Sequence, residues 1–104
     1  MSTFGDLENA FEKKFALDED QKFRARMRRN HLLAAWAASL LDRKDVDAYA
    51  QDLVSCDIED AGDDDILRKL MADFEAMGLA IAVEEVRTRM VEFAALAATQ
   101  IQQD

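Results

Sequence analysis

A chain of 104 residues suits one domain, and its half share of hydrophobic residues is enough for a modest core. The formal net charge of −9 argues against nucleic acid or an anionic membrane as partner of the protein as a whole. With no proline and only three glycines, a β-sheet protein is disfavoured and an all-α fold, a helical bundle, is expected.

The single cysteine, Cys56, leaves no internal disulfide to form, which fits a reducing cytosol. The N-terminus lacks a charged segment followed by an apolar one, so no secretory leader is expected. The longest mostly apolar stretch, residues 32–41, falls short of the ~20 residues that span a bilayer. These features together predict a soluble cytoplasmic protein.

The first segment carries an apolar stripe of Phe4, Leu7, Phe11 and Phe15, spaced three, four and four apart. At helical pitch these side chains fall within an arc of roughly 80°. Asp6, Glu8, Glu12, Lys13 and Lys14 occupy the remaining surface. The pattern predicts a short amphipathic helix with an aromatic face, which either folds back on its own domain or docks in a partner's groove. The burial gain of three Phe and one Leu is of the same order as the entropy of ordering the segment. It is therefore expected to be frayed alone and ordered by a partner.

The apolar pattern resumes at Phe23 and Met27, then Leu33, Trp36, Ala37, Leu40 and Leu41. Either one helix covers residues 4–41, or two do. Asp18 followed three residues later by Gln21 has capping-box spacing, so a helix can start afresh there, with a hinge over residues 16–20.

A second helix is expected from Asp45 as N-cap, with Val46, Tyr49, Ala50, Leu53, Val54 and Ala61 inside and Gly62 as its left-handed stop. A third is expected after Asp63, Asp64 and Asp65, whose carboxylates suit the positive end of a helix dipole. Its inner face would be Ile66, Leu67, Leu70, Phe74 and Met77, closed by Gly78. The fourth runs from about Val83 to the C-terminus on Val86, Met90, Phe93, Ala94, Ala97 and Ile101, and Ala82 makes a poor cap for it. Connections this short favour antiparallel neighbours.

Charge is unevenly spread. Residues 42–75 hold twelve acids and four bases, and residues 1–31 hold six acids and seven bases. The dense run Lys22, Arg24, Arg26, Arg28 and Arg29 reads first as a solvated face or as the partner of the acidic second and third helices. A docking patch for an acidic protein surface is the second reading.

The acids from Asp57 to Asp65 fail as a calcium loop. Counting Asp57 as the first position puts Ala61 where a ligand belongs and Arg68 where a bidentate Glu belongs. Helix capping is the expected role. His31 reads as an exposed helix residue, Cys56 as a packed one, and the Met residues with Trp36 as core. No nucleophile–base–orienter set, zinc set or glycine-rich phosphate loop can be assembled, so no enzyme, metal or cofactor is expected.

Several blocks, in order, resemble the zeta subunit family of alphaproteobacterial F-type ATP synthases, which inhibits ATP hydrolysis. They are Ala10, Phe11 and Glu12; Lys14, Phe15 and Ala16; Asp18 and Glu19; and Phe23 and Arg24. Arg28, Arg29 and Asn30 follow, with Leu32, Leu33, Trp36 and Ala37, then Ala61, Gly62, Asp63 and Asp65, then Arg68, Lys69 and Leu70. The resemblance covers essentially the whole chain.

It implies a four-helix bundle, residues 19–104, preceded by a mobile amphipathic inhibitory arm, residues 1–18. It further implies that the arm inserts between the alpha and beta subunits of the catalytic head, near the gamma shaft, and blocks rotation in the hydrolytic direction. Phe4, Leu7, Glu8, Phe11, Glu12, Lys14, Phe15 and Asp18 would then contact the partner. Leu7 and Asn9 stand where the family commonly carries basic residues. The rival reading is a non-inhibitory acidic helical adaptor for another cytoplasmic protein.

Overall fold

A computed structural model of the chain describes residues 16–59 and 63–103. Among them are four helices and no strand: α1 (Glu19–Leu40), α2 (Val46–Glu59), α3 (Asp63–Ala76) and α4 (Val83–Gln103). The all-α expectation is met. The third helix starts at Asp63 itself, so the three acids form its first turn and do not precede it. Ala61 and Gly62, the expected last inner residue and stop of the second helix, lie outside the described residues.

The helices form a ring of neighbours, each packing on the next and α1 closing on α4. Tyr49 at the start of α2 reaches Asp73 near the end of α3, and Arg26 early in α1 reaches Asp57 late in α2. Successive helices are therefore antiparallel, which leaves α1 and α3 pointing the same way.

Capping chemistry sets the helix ends. Asp18 is extended (φ −76°, ψ 175°), and its carboxylate accepts from the Gln21 amide at 2.8 Å. The Gln21 side chain accepts in return from the Asp18 amide at 3.1 Å, completing a capping box. The residue before this pair but one, Ala16, has φ +49°, so the chain turns sharply before α1 begins.

Both α1 and α3 end in Schellman turns. At α3 the Gly78 amide donates to the Glu75 carbonyl and the Leu79 amide to the Phe74 carbonyl, both at 2.9 Å, with Gly78 at φ +73°. At α1 the left-handed position is filled by Asp42 (φ +57°), and the Arg43 amide donates to the Ala38 carbonyl at 2.9 Å.

Asp45 behaves as an N-cap in its backbone, its carbonyl accepting from the Tyr49 amide at 3.0 Å. Its carboxylate turns back onto Arg43, with Nε–Oδ1 2.9 Å and Nη2–Oδ2 2.5 Å. That hydrogen bond holds the Asp45 carboxyl below its ordinary pKa. Ala82 starts α4 through its carbonyl alone, accepting from Glu85 and Val86.

One core runs through the ring: Leu33, Ala34, Ala37 and Leu41; Tyr49, Ala50 and Leu53; Ile66, Leu67, Leu70 and Phe74; Val86 and Met90. Trp36, Cys56 and Met71 pack against it from partly buried positions. Tyr49 is fully buried, and its hydroxyl donates to Asp73 at 2.7 Å. Burial, reinforced by that bond to a carboxylate, pushes the phenol well above its ordinary pKa.

Three residues read as apolar face in the sequence are exposed. Phe23 is 57 % exposed, Met77 58 % and Leu40 39 %. Phe23 lies two turns before Asn30, which already meets Asp57 in the last turns of α2, so no part of α2 is opposite it. Leu40 is the last residue of α1, and Met77 follows the last of α3. Helical period gives the face of a residue but not whether a neighbour extends far enough to cover it.

Candidate functional site

The end of the bundle where α1 begins carries most of the buried polar chemistry. Leu17, just ahead of the Asp18 cap, is buried in a second cluster with Ala25 of α1 and Ala98 and Ile101 of α4. This anchor fixes the chain immediately after residues 1–15. It joins the first turns of α1 to the last turns of α4, as antiparallel packing requires.

On the same part of α1, Arg26, Arg29 and Asn30 meet acids from two other helices. Arg26 Nε donates to Asp57 Oδ2 at 2.7 Å, and Asn30 Nδ2 donates to the same oxygen at 3.3 Å. Arg29 Nη1 donates to Asp63 Oδ1 at 2.7 Å. Arg29 also reaches the Asn30 side-chain oxygen through Nε at 3.2 Å and Nη2 at 2.9 Å. Arg29, Asn30, Asp57 and Asp63 are all buried, while Arg26 is partly exposed.

Two guanidiniums and two carboxylates balance in charge, and the cluster ties the end of α2 and the start of α3 to α1. A buried pair of this kind adds little net stability over an apolar replacement. Asp57 Oδ1 is buried and has no hydrogen-bond partner among the described residues.

The pairing reading of the basic run is therefore the observed one for Arg26 and Arg29. Lys22 and Arg24 pair within α1, with Glu19 at 3.2 Å and Asp20 at 3.0 Å. Asp57 and Asp63 were expected as capping acids. Asp63 is indeed in the first turn of α3, but Asp57 is a buried partner of two arginines and an asparagine. The sequence held one signal for this: Tyr49, Leu53 and Asp57 recur every four residues, so Asp57 continues the inner stripe of α2. His31 is exposed and Cys56 partly buried, as read.

Of the residues expected to contact a partner, the structure describes Asp18, which is the N-cap of α1. Phe4, Leu7, Glu8, Phe11, Glu12, Lys14 and Phe15 lie outside the described residues. Among the described residues no group of three or more His, Cys, Asp or Glu side chains could hold a metal ion. No described helix is long and apolar enough to cross a membrane.

The described residues form a small acidic all-α bundle of four helices whose first helix carries its own cap. The chain belongs to the ATPase inhibitor subunit zeta family, whose family model matches residues 1–100. A comparison with curated proteins gave no match. Membership assigns the chain a general role as an inhibitor associated with ATP synthase.

Proposed function

We propose that this chain suppresses ATP hydrolysis by the F-type ATP synthase head by inserting its N-terminal arm into a catalytic alpha/beta interface near the gamma shaft. The division of labour is residues 1–18 as the arm and 19–104 as the bundle. Phe4, Leu7, Phe11 and Phe15 are the buried anchors, and Glu8, Glu12, Lys14 and Asp18 lie at the rim. The protein acts in the cytoplasm, peripheral to the inner membrane through the ATP synthase.

The observation that carries this reading is the family match, which extends from residue 1 through the amphipathic stripe. The geometry at residues 16–18 supports it. A left-handed Ala16, a buried Leu17 and a capping box at Asp18 give the bundle its own starting point, so it does not need residues 1–15 to begin α1.

The test is ATP hydrolysis by the purified cognate head, titrated with the full chain and with Phe11→Asp. Wild type should inhibit, and the variant should lose inhibition while keeping its circular dichroism spectrum and melting temperature. Equal potency of the two would sink the arm mechanism.

A further inference from the structure

The seam of the core runs out of the bundle at the end opposite the start of α1. Trp36 of α1 and Phe74 of α3 meet edge to face, ring centroids 5.7 Å apart and planes at 83°. Because α1 and α3 point the same way, Leu40 and Met77 sit one turn further out on the faces that Trp36 and Phe74 occupy. On α4, Val83 stands one turn outside buried Val86 and is 37 % exposed. Met77 is thus well exposed at this end, with Leu40 and Val83 each more than a third exposed.

Residues 77–83, which join α3 to α4, carry no charge. Leu79 and Ile81 pack inward on the core, while Ala80 and Ala82 are exposed. The helix ends around them are acidic. Asp42, Asp47, Glu75, Glu84 and Glu85 are exposed against one exposed lysine, Lys44, while the Arg43 charge is taken up by Asp45 and Arg87 pairs with Glu84 at 3.3 Å. An apolar centre inside an acidic rim has the anatomy of an interface.

We propose that this end is a second docking surface, for a patch on the ATP synthase head with an apolar centre and a basic rim. The inference rests on the ATP synthase being the partner. Charge complementarity selects the occupant. A second copy would set acids against acids, and an anionic membrane would be repelled. At 22 residues α1 separates the two ends by about 33 Å, whereas a helical segment of residues 1–15 spans only about 22 Å. The arm and this end can therefore engage separate places. Held by its far end, the bundle keeps the arm at high effective concentration when the arm is out of its site.

The test uses the full chain with Leu40→Lys and Met77→Lys together. Both positions lie at helix C-termini, where a cation suits the dipole, so folding is kept while a basic rim is repelled. Binding to the immobilised purified head should weaken by about tenfold or more. The half-inhibiting concentration should rise in step, with hydrolysis still fully suppressed at saturation. The conservative pair Leu40→Met and Met77→Leu should behave as wild type, and Phe11→Asp should still bind without inhibiting.

Unchanged affinity of the lysine pair, with its fold intact, would overturn the second surface. So would wild-type dimers in sedimentation that the lysine pair dissolves, since that outcome makes the end a self-interface. If wild type neither binds nor inhibits the head, the ATP synthase reading itself fails, an outcome distinct from both.

Discussion

Arg29 on α1 and Asp63 in the first turn of α3 are joined at 2.7 Å, thirty-four residues apart in sequence, with both side chains more than nine-tenths buried. The bond fixes where α3 begins relative to α1. It is flanked by Arg26 and Asp57, so the last turn of α2 and the first turn of α3 meet the same pair of arginines.

This arrangement separates breaking the pair from replacing it. Arg29→Ala or Asp63→Ala alone leaves a buried charge uncompensated, and each should cost about 3–5 kcal/mol in urea denaturation. Arg29→Met with Asp63→Leu removes both charges but takes both donors from the buried Asn30 oxygen, so it should recover part of that loss and lie about 1–3 kcal/mol below wild type. Equal losses for the single and double variants would show that the ion pair itself is the source of stability.

The two Schellman turns make opposite predictions. Asp42 occupies a left-handed conformation that favours glycine, so Asp42→Gly should stabilise the fold by about 0.5–1 kcal/mol. Gly78→Ala should destabilise it by about 1 kcal/mol through backbone strain alone, because a Cβ there meets nothing within 4 Å. Thermal melts of the two variants measure both effects.

Tyr49 gives the fold an alkaline limit. Its folded pKa is raised above the unfolded value of 10.0 by burial and by its bond to Asp73, so the folded state keeps a proton that the unfolded state releases. The stabilisation is complete below pH 10.0 and is lost as pH climbs from there towards the folded pKa, by about 1.4 kcal/mol per pH unit. Tyr49→Phe should cost about 1.5–3 kcal/mol at neutral pH, for the lost bond to a carboxylate. It should flatten this part of the alkaline slope, seen as the difference between the urea midpoints of variant and wild type from pH 9 to 11. A slope unchanged by the substitution would rule Tyr49 out as its source.

Much of this fold is legible along the chain because its signals are local. Asp18 with Gln21 marked the start of α1, Gly78 the end of α3, and the spacing of Ile66, Leu67, Leu70 and Phe74 the inner face of α3. These depend on residues within one turn of each other, where period and capping chemistry act directly. The candidate arm rests on a signal of the same local kind, a stripe of three Phe and one Leu at helical spacing, and lies outside the described residues.

What was not legible depends on residues distant in sequence. Phe23 and Met77 share the spacing of core residues, and only the lengths of the neighbouring helices decide that they stay in water. The basic run could be read as solvated or paired, and the choice of Arg26 and Arg29 for Asp57 and Asp63 required the ring of helices to close. Sequence by itself determined the helices, their caps and the amphipathic stripe, since each is written within a few residues. Only the tertiary structure decided which charges are buried together and which apolar ends are left uncovered, because both follow from where one helix stops beside another.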